Sequence, residues 1–438
     1  MLSKEDNDLL TRVGPGTAMG ALMRQYWLPF MLADEVPNPD SDPARVRLLG
    51  EDLIAFRDTH GHVGLIQNNC PHRGASLFFG RNEEAGLRCV YHGWKFDVSG
   101  QCVDMPNEPA ESDFKSKVKA TAYPTREVNG VIWTYMGPRH EPPAVPELEW
   151  SLVPPSHRVI RRFVRECNWM QALEGDIDSA HSSFLHSVLD PAFIGDQGTG
   201  LKHKDRAPRF YTVDTDYGVK IGVERTADAD HRYWRVTQFL MPIFTMFPPT
   251  GEHAEMVPGH VWIPMDDTTT LVWSVYWHPL RPVAEGGADQ ARRGIRSQAF
   301  DGPEEYLPPT TAPAGRWRWK ANATNDYLLD HEAQRTRRFS GVPTIPLQDQ
   351  AVTESMGPTM DRTAEHLGST DAAIIRARRR LLDAARQLQD SGVVPASVDD
   401  AALFRVRSAS GLLPNDVSWL DGTREWLEAQ PGRAVVSA

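Results

Sequence analysis

Cysteine is scarce in this chain, with four in 438 residues, at positions 70, 89, 102 and 167. So few thiols cannot form the disulfide framework of a small secreted scaffold. The first residues, Met1 to Asp8, also lack the apolar centre of a secretory leader, so the expected compartment is a reducing one. No run approaches the ~20 apolar residues that a membrane-spanning helix needs. Internal repeats and low-complexity tracts are absent, which excludes solenoids and disordered arrays. Positive charge is not in excess: 47 Lys and Arg against 58 Asp and Glu leave a formal net charge of −11. That balance disfavours nucleic acid and anionic membranes as partners. The expectation is a soluble, cytoplasmic protein, too long for one hydrophobic core and therefore divided into two domains.

The few cysteines present are placed to bind metal. Cys70 and His72 open one short loop, Cys70-Pro71-His72-Arg73-Gly74, and Cys89 and His92 open another, Cys89-Val90-Tyr91-His92-Gly93-Trp94. A Rieske 2Fe-2S centre needs two thiolates on one iron and two imidazoles on the other, offered as a pair of short loops. Gly74 and Gly93 let each loop fold tightly and aim amides at cluster sulfurs. The 16 residues between His72 and Cys89 suffice for a connecting hairpin. A Cys2His2 zinc site uses the same four ligands, but zinc fingers pair Cys with Cys and His with His, whereas this order alternates. A Cys70–Cys89 disulfide is disfavoured by the same reducing context.

A second ligand set follows about ninety residues on, with Asp178, His181 and His186 in the segment 168–186. Non-heme Fe(II) that activates dioxygen is held by two His and one carboxylate on one face, with positions left open for oxygen. Two His five residues apart on a regular helix would diverge by ~140°, so the helix must be distorted or ending there. A bare His-x4-His is ordinarily a pair of satisfied helix histidines. It gains meaning from the cluster signature upstream.

Periodicity places these motifs. Residues 1–26 begin polar and then read as a short helix around Leu22 and Met23. Short strands with Gly-rich turns run from Arg45, through Leu53 to Phe56 and Val63 to Ile66, and return at Val131 to Tyr135. With the two ligand loops they form a small antiparallel domain. It ends in the proline-rich stretch 137–146, an extended linker. Beyond it, residues 161–165 read as strand, 168–187 as helix, and 209–213, 219–223, 233–241, 256–264 and 270–277 as successive strands, a long curved antiparallel sheet gripped by helices. Trp273, Val275 and Trp277 share one face, expected in the core. Residues 371–390 read as an amphipathic helix with Arg on its polar side.

At this point the chain resembles the Rieske non-heme iron oxygenases of alpha-subunit type. The residues that carry the likeness are the two metal motifs together with a tail that includes Asn325 to Asp330, Glu332 to Arg335, Gln348 to Gly357 and Asp361 to Gly368. Within that group the tail resembles the phthalate 4,5-dioxygenase branch, which also takes in chlorobenzoate and phenoxybenzoate oxygenases. The resemblance implies an α+β fold, a small antiparallel β Rieske domain plus a helix-grip (START-like) catalytic domain with a curved antiparallel sheet. The expected limits are 1–26 for an N-terminal helical segment packing on the catalytic domain, 27–145 for the Rieske domain and 146–438 for the catalytic domain. It further implies that Cys70, His72, Cys89 and His92 hold the cluster, and that His181 and His186 hold Fe(II). A downstream carboxylate, on a helix that begins with an acidic residue, completes the iron site. Asp349 matches that position, with Asp330 and Asp361 as competitors, although an Asp at a helix start is ordinarily an N-cap. Asp178 matches an acid that hydrogen-bonds a cluster His of one subunit and an iron His of the next. Against this stands a surface acid in an acid-rich helix, with Glu174 and Asp176 as neighbours.

The resulting expectation is the oxygenase component of a multicomponent system. It draws electrons from a separate reductase or ferredoxin, since no flavin or nicotinamide site is visible, and hydroxylates an aromatic carboxylate with O2. The resemblance implies a homo-oligomer, a trimer or a pair of trimers. One alternative is an aryl-ether monooxygenase or O-demethylase of the same family. Another, from a different class, is a Rieske electron carrier, although about 290 residues beyond the cluster domain are more than a carrier needs. A substrate carboxylate would want a guanidinium. Arg209, Arg225 and Arg235 lie on expected strands, where Arg more often faces solvent. The apolar stretch 241–248 weighs toward a benzoate-like or aryl-ether substrate over a dicarboxylate.

Overall fold

Short β-branched and aromatic runs separated by tight turns build the first third of the chain into three small antiparallel sheets. The computed structural model describes residues 1–109, 111–189, 201, 205–248, 256–283 and 305–429. After α1 (Lys4–Thr11) and α2 (Ala18–Met23) come β1 (Trp27–Leu32), β2 (Ala44–Leu48), β3 (Glu51–Arg57), β4 (Val63–Gln67), β5 (Arg81–Glu83), β6 (Gly86–Arg88), β7 (Lys95–Phe96), β8 (Cys102–Asp104), β9 (Ala122–Tyr123), β10 (Thr125–Val128) and β11 (Val131–Tyr135). Their orders are β2-β3-β4-β9, β5-β6-β7-β8 and β1-β11-β10. The hairpin expected between the two ligand loops is β5–β6.

The larger part carries β12 (Arg158–Arg165), β13 (Arg209–Thr215), β14 (Gly218–Thr226), β15 (His231–Leu240), β16 (Phe244–Met246), β17 (Val257–Pro264), β18 (Thr270–Trp277) and β19 (Ala409–Pro414). They form one antiparallel sheet in the order β12-β18-β17-β16-β15-β14-β13, with β19 added on β15. This part also carries the helices α3 (Glu149–Leu152), α4 (Trp169–Ile177), α5 (His331–Thr336), α6 (Ile345–Ser355) and α7 (Ala372–Ser391), of which α3, α4 and α7 pack on the sheet. The fold is therefore the expected α+β arrangement of a small β unit and a helix-covered sheet. In α7, Ala373, Ala377, Leu381, Leu382 and Ala385 recur at helical spacing and are buried, each leucine stabilising by roughly 1.5–3 kcal/mol. The helix packs on α2, β13 and β14 and stops at Gly392, whose φ of 72° suits a residue without Cβ.

One apolar core runs through both parts. Trp133 on β11 stacks on Trp150 at 5.7 Å and meets Phe244 on β16 at 6.3 Å. A separate small core, with Ile54, Phe56, Leu77, Leu87 and Phe96, encloses Cys70, Cys89 and Cys102. Trp273, Val275 and Trp277 are buried, as their shared face predicts. Residues 430–438, the end of the expected catalytic domain, lie outside the described residues.

Three sequence expectations change. The helix read over 168–187 ends at Ile177, and His181–Ser183 form a separate 3-10 turn. The polar start of the chain is helical, with Ser3 capping α1 through Asp6 N–H. Strands β16 and β19 were not anticipated: β16 has three residues inside an apolar run, and β19 carries Ser, Gly and Pro, which read as turn formers.

Candidate metal centres

The two cluster loops are built alike. Cys70 N–H donates to the Ala75 carbonyl at 2.8 Å and Gly74 N–H returns to the Cys70 carbonyl at 2.9 Å. Cys89 N–H donates to the Trp94 carbonyl at 2.8 Å and Gly93 N–H to the Cys89 carbonyl at 2.9 Å. Gly74 and Gly93 have φ of 76° and 80°, where an L side chain is strained, and a Cβ on Gly93 would also lie 2.6 Å from Pro106 Cγ. The tips bring His72 and His92 together, ring centroids 4.4 Å apart, with His72 stacked on Trp94 at 4.3 Å. Trp94 is held in turn by its Nε1–H donating to Asn107 at 2.7 Å.

These residues fit a cluster with two thiolates and two imidazoles. Burial, with Cys89 adding, pushes the Cys70 thiol up to about 11 against the relief of a backbone hydrogen bond. Such a thiol is protonated at neutral pH unless a metal takes the proton's place. The buried Nδ1 of His92 has no hydrogen-bond partner, a lone pair left available for a metal. Cys102 shares the same small core. Cys167 lies elsewhere, in the large one.

The second site forms where α4 stops. Asn168 caps the start of α4, accepting from Met170 N–H at 3.1 Å, and Asp178 ends it in extended backbone. Asp178 Oδ1 then accepts from Ala180 N–H at 2.7 Å, a local turn that swings the chain into the 3-10 turn at His181. Leaving the helix is what lets two His five residues apart converge: their Nε2 atoms lie 3.0 Å apart. Asp349 on α6 brings Oδ1 to 3.2 Å from His186 Nε2 and 3.7 Å from His181 Nε2. Two ligands ~2.1 Å from one metal and at right angles are about 3.0 Å apart, so the three atoms suit one face of an octahedron. Among the described residues this is the group of His, Cys, Asp and Glu with metal-binding separation.

The imidazoles are oriented from behind. His181 Nδ1 faces Asp178 Oδ2 at 3.4 Å, and His186 Nδ1 faces Gln348 Oε1 at 2.7 Å. Gln348 is fixed by its own Nε2–H donating to the Val342 carbonyl. Burial opposes the charge on Asp349, but His186 and His181, with Arg165 further off, hold its carboxyl far below the usual range. Asp178 is likewise lowered by His181 and the Ala180 amide against the cost of burial. His181 is raised, Asp178 outweighing burial.

The structure brings Asp349 to the histidines and leaves its competitors away. Asp330 caps α5, accepting from the Glu332 and Ala333 amides at 2.8 and 2.9 Å, and Asp361 accepts from Thr363 on the surface. One detail differs from expectation. Helix α6 begins at Ile345 with Pro346, so Asp349 sits one turn in and the helix does not begin with an acid. Neither neighbour of Asp178 is solvated: Glu174 is buried between Arg362 and Arg378, and Asp176 accepts from Thr245 and pairs with His260. Gln348 was missed as an orienting residue although it adjoins Asp349, because an amide carries no charge signal in sequence.

The strand arginines need a correction too. Arg209 is exposed, but Arg225 and Arg235 are 0% and 9% exposed. Trp419 lies against Gly222 of β14 and stacks on Trp234 of β15, while α7 packs on β14 and α4 on β15. Arg225 donates to Ser179 Oγ and carbonyl at 3.2 and 2.8 Å, and burial, with Arg235 adding, lowers it to about 10. Among the described residues Arg235 donates to Tyr233 Oη at 3.5 Å and the Pro248 carbonyl at 3.3 Å. Each leaves its Nε buried without a partner.

Comparison with known proteins agrees with this geometry. Residues 26–124 match the Rieske [2Fe-2S] domain family, and residues 134–435 match the family described as LigXa C-terminal domain like. The chain is 40% identical to the 3-chlorobenzoate-3,4-dioxygenase oxygenase subunit of Comamonas testosteroni, covering 96% of this chain and 97% of that protein. It is 38% identical to the phthalate 4,5-dioxygenase oxygenase subunit of Pseudomonas putida, covering 100% and 98%. It is 31% identical to the 5,5'-dehydrodivanillate O-demethylase oxygenase subunit of Sphingobium sp. strain SYK-6, covering 98% and 90%. In fold it is similar to dicamba monooxygenase bound to dicamba, with a TM-score of 0.56 at 17% identity over 84% of this chain and 99% of that one.

Proposed function

The chain belongs to the Rieske-type oxygenase subunits with a LigXa-like C-terminal domain, in the phthalate 4,5-dioxygenase branch, and from that premise we propose that it hydroxylates a benzoate-like aromatic carboxylate, in the manner of a cis-dihydroxylating dioxygenase. When bound, the Rieske cluster supplies single electrons and the mononuclear Fe(II) supplies dioxygen activation. In our reading Cys70, His72, Cys89 and His92 hold the cluster, and His181, His186 and Asp349 hold the iron. Asp178 and Gln348 fix the two iron imidazoles, so that each presents Nε2.

One observation carries the choice of a carboxylate. Arg225 is buried against Ser179 in the turn that leads into His181, Arg235 is buried as well, and among the described residues neither meets a carboxylate at salt-bridge distance. Burying a cation without a counter-ion costs several kcal/mol. A substrate anion would offset that cost, and Arg235, with the weaker bonds of the two, has donors to spare. Arg235→Gln should raise KM for a benzoate at least tenfold, about 1.4 kcal/mol, while leaving KM for a neutral aromatic ether within twofold. An unchanged KM for benzoate in that variant rules out this grip.

Aryl-ether O-demethylation is the second reading, favoured by the similarity to the dehydrodivanillate enzyme. Product analysis separates the two, a cis-diol against a phenol with formaldehyde. A bare electron carrier is excluded by the match that continues from residue 134 to 435.

An oxygenase subunit of a multicomponent system works with a reductase or ferredoxin. We assign it an NAD(P)H-dependent reductase carrying flavin and 2Fe-2S, a cytoplasmic setting in aromatic catabolism, and the domain limits 1–26, 27–145 and 146–438. Among the described residues no helix is long and apolar enough to cross a membrane. The assembly we propose is a homotrimer or a pair of trimers, in which the cluster of one subunit faces Asp178 of the next. Two exposed apolar patches support it: Phe79, Val90, Tyr91 and Phe114 around the cluster loops, and Phe184, Leu189 and Phe339 beside the iron ligands.

A further inference from the structure

His181, read as an iron ligand, is reached by a short segment that leaves α4 after Ile177. What holds the root of that segment is Asp176, in the last turn of α4. Its carboxylate Oδ2 accepts from Thr245 Oγ1 on β16 at 2.5 Å and lies 2.7 Å from His260 Nδ1 on β17. The chain of bonds continues on both sides. Trp262 Nε1–H donates to Thr245 Oγ1 at 2.8 Å, and His260 Nε2 lies 3.1 Å from Ser274 Oγ on β18. The imidazole is enclosed by Phe247 and Trp262, ring centroids 5.0 and 5.1 Å away. Both members of the pair are largely buried, with side-chain exposures of 14% for His260 and 15% for Asp176.

We propose that Asp176 and His260 are positioning residues of the mononuclear iron site. The pair ties the end of α4 to three adjacent strands, β16, β17 and β18, and so sets where Asp178 and His181 begin. Asp178 governs the orientation of one imidazole from directly behind it. Asp176 and His260 act one step further back, on the backbone from which both side chains spring. Among the described residues their hydrogen bonds go to Thr245, Ser274 and each other, not to His181, His186 or Asp349, so the pair acts through Asp178 and the turn. A carboxylate bonded to an imidazole N–H in a buried, low-dielectric setting is a strong tether, and removing one partner leaves the other buried and unpaired.

The inference rests on the reading of His181, His186 and Asp349 as the iron ligands. The test is Co(II) binding to full-length protein depleted of its mononuclear iron, followed by the visible absorption of the bound ion. The spin signal of the reduced Rieske cluster serves as the control for folding. His260→Phe keeps the ring volume and removes the N–H; Asp176→Asn removes the charge. Each should weaken Co(II) binding 10- to 100-fold, the range known for groups that orient metal ligands, with the cluster signal intact. His260→Asn, which can offer an N–H from nearly the Nδ1 position, should recover binding to within about threefold of wild type. Binding within twofold of wild type in both His260→Phe and Asp176→Asn overturns the proposal, and so does a loss that His260→Asn fails to restore. If wild-type protein takes up no Co(II) at all, the ligand reading fails first.

Discussion

Asp178 shows how much one side chain can be asked to do. One oxygen closes the turn on Ala180 N–H and the other faces His181 Nδ1, so the same carboxylate ends a helix and selects an imidazole tautomer. The cysteines divide as sharply. Cys70 and Cys89 sit at the head of matched loops, whereas Cys102 lies in the same small core and Cys167 in the large one. Cys89→Ser should give protein without the brown colour, the Rieske spin signal or turnover. Cys167→Ser and Cys102→Ser should keep all three, and Cys102 is the more demanding control because it neighbours the cluster. Retention of the cluster in Cys89→Ser would defeat the assignment of the loops.

At the scale of elements, the iron site depends on two helices that stop or start where the chemistry needs them. Helix α4 ends before His181, and α6 places Asp349 and Gln348 on successive positions, one aimed at the metal side of the histidines and one behind His186. His181→Ala, His186→Ala or Asp349→Ala should each lose the mononuclear iron, read as iron per chain, while the Rieske signal persists. Iron loss in Asp330→Ala or Asp361→Ala, with normal iron in Asp349→Ala, would show the wrong carboxylate was chosen. Much of this was legible in sequence. Ligand spacing pointed to both ligand sets, and β13, β14, β15, β17 and β18 followed from alternation, because ligand chemistry and period-two burial are local. What stayed hidden was tertiary. Alternation says which strand residues share a face but not what packs on it, so Arg225 and Arg235 read as solvent-facing. A 140° divergence signals that a helix must break, yet not that Asp178 would break it. Pairings between distant segments, such as Asp176 with His260, leave no local pattern at all.

The whole molecule raises the question of where electrons go. Within one chain the cluster imidazoles contact each other, Tyr91 and Trp94, and among the described residues none touches Asp178 or His181. The cluster loops and the iron face each present apolar side chains to solvent, two dissimilar patches of the kind that close a ring when they meet head to tail. In such a ring, the cluster of one subunit serves the iron of its neighbour through the neighbour's Asp178. Asp178→Asn should therefore slow oxidation of the reduced cluster by O2 and substrate by orders of magnitude, with most of the iron still bound. The most direct test is complementation between two inactive variants. Cys89→Ser subunits lack a cluster but keep the bridge; Asp178→Asn subunits keep a cluster but lack the bridge. Co-expressed and purified as mixed oligomers, they should regain aromatic hydroxylation that neither shows alone, because a cluster of one kind then feeds an intact site of the other. Mixed oligomers that remain as inactive as their parents would contradict transfer between subunits.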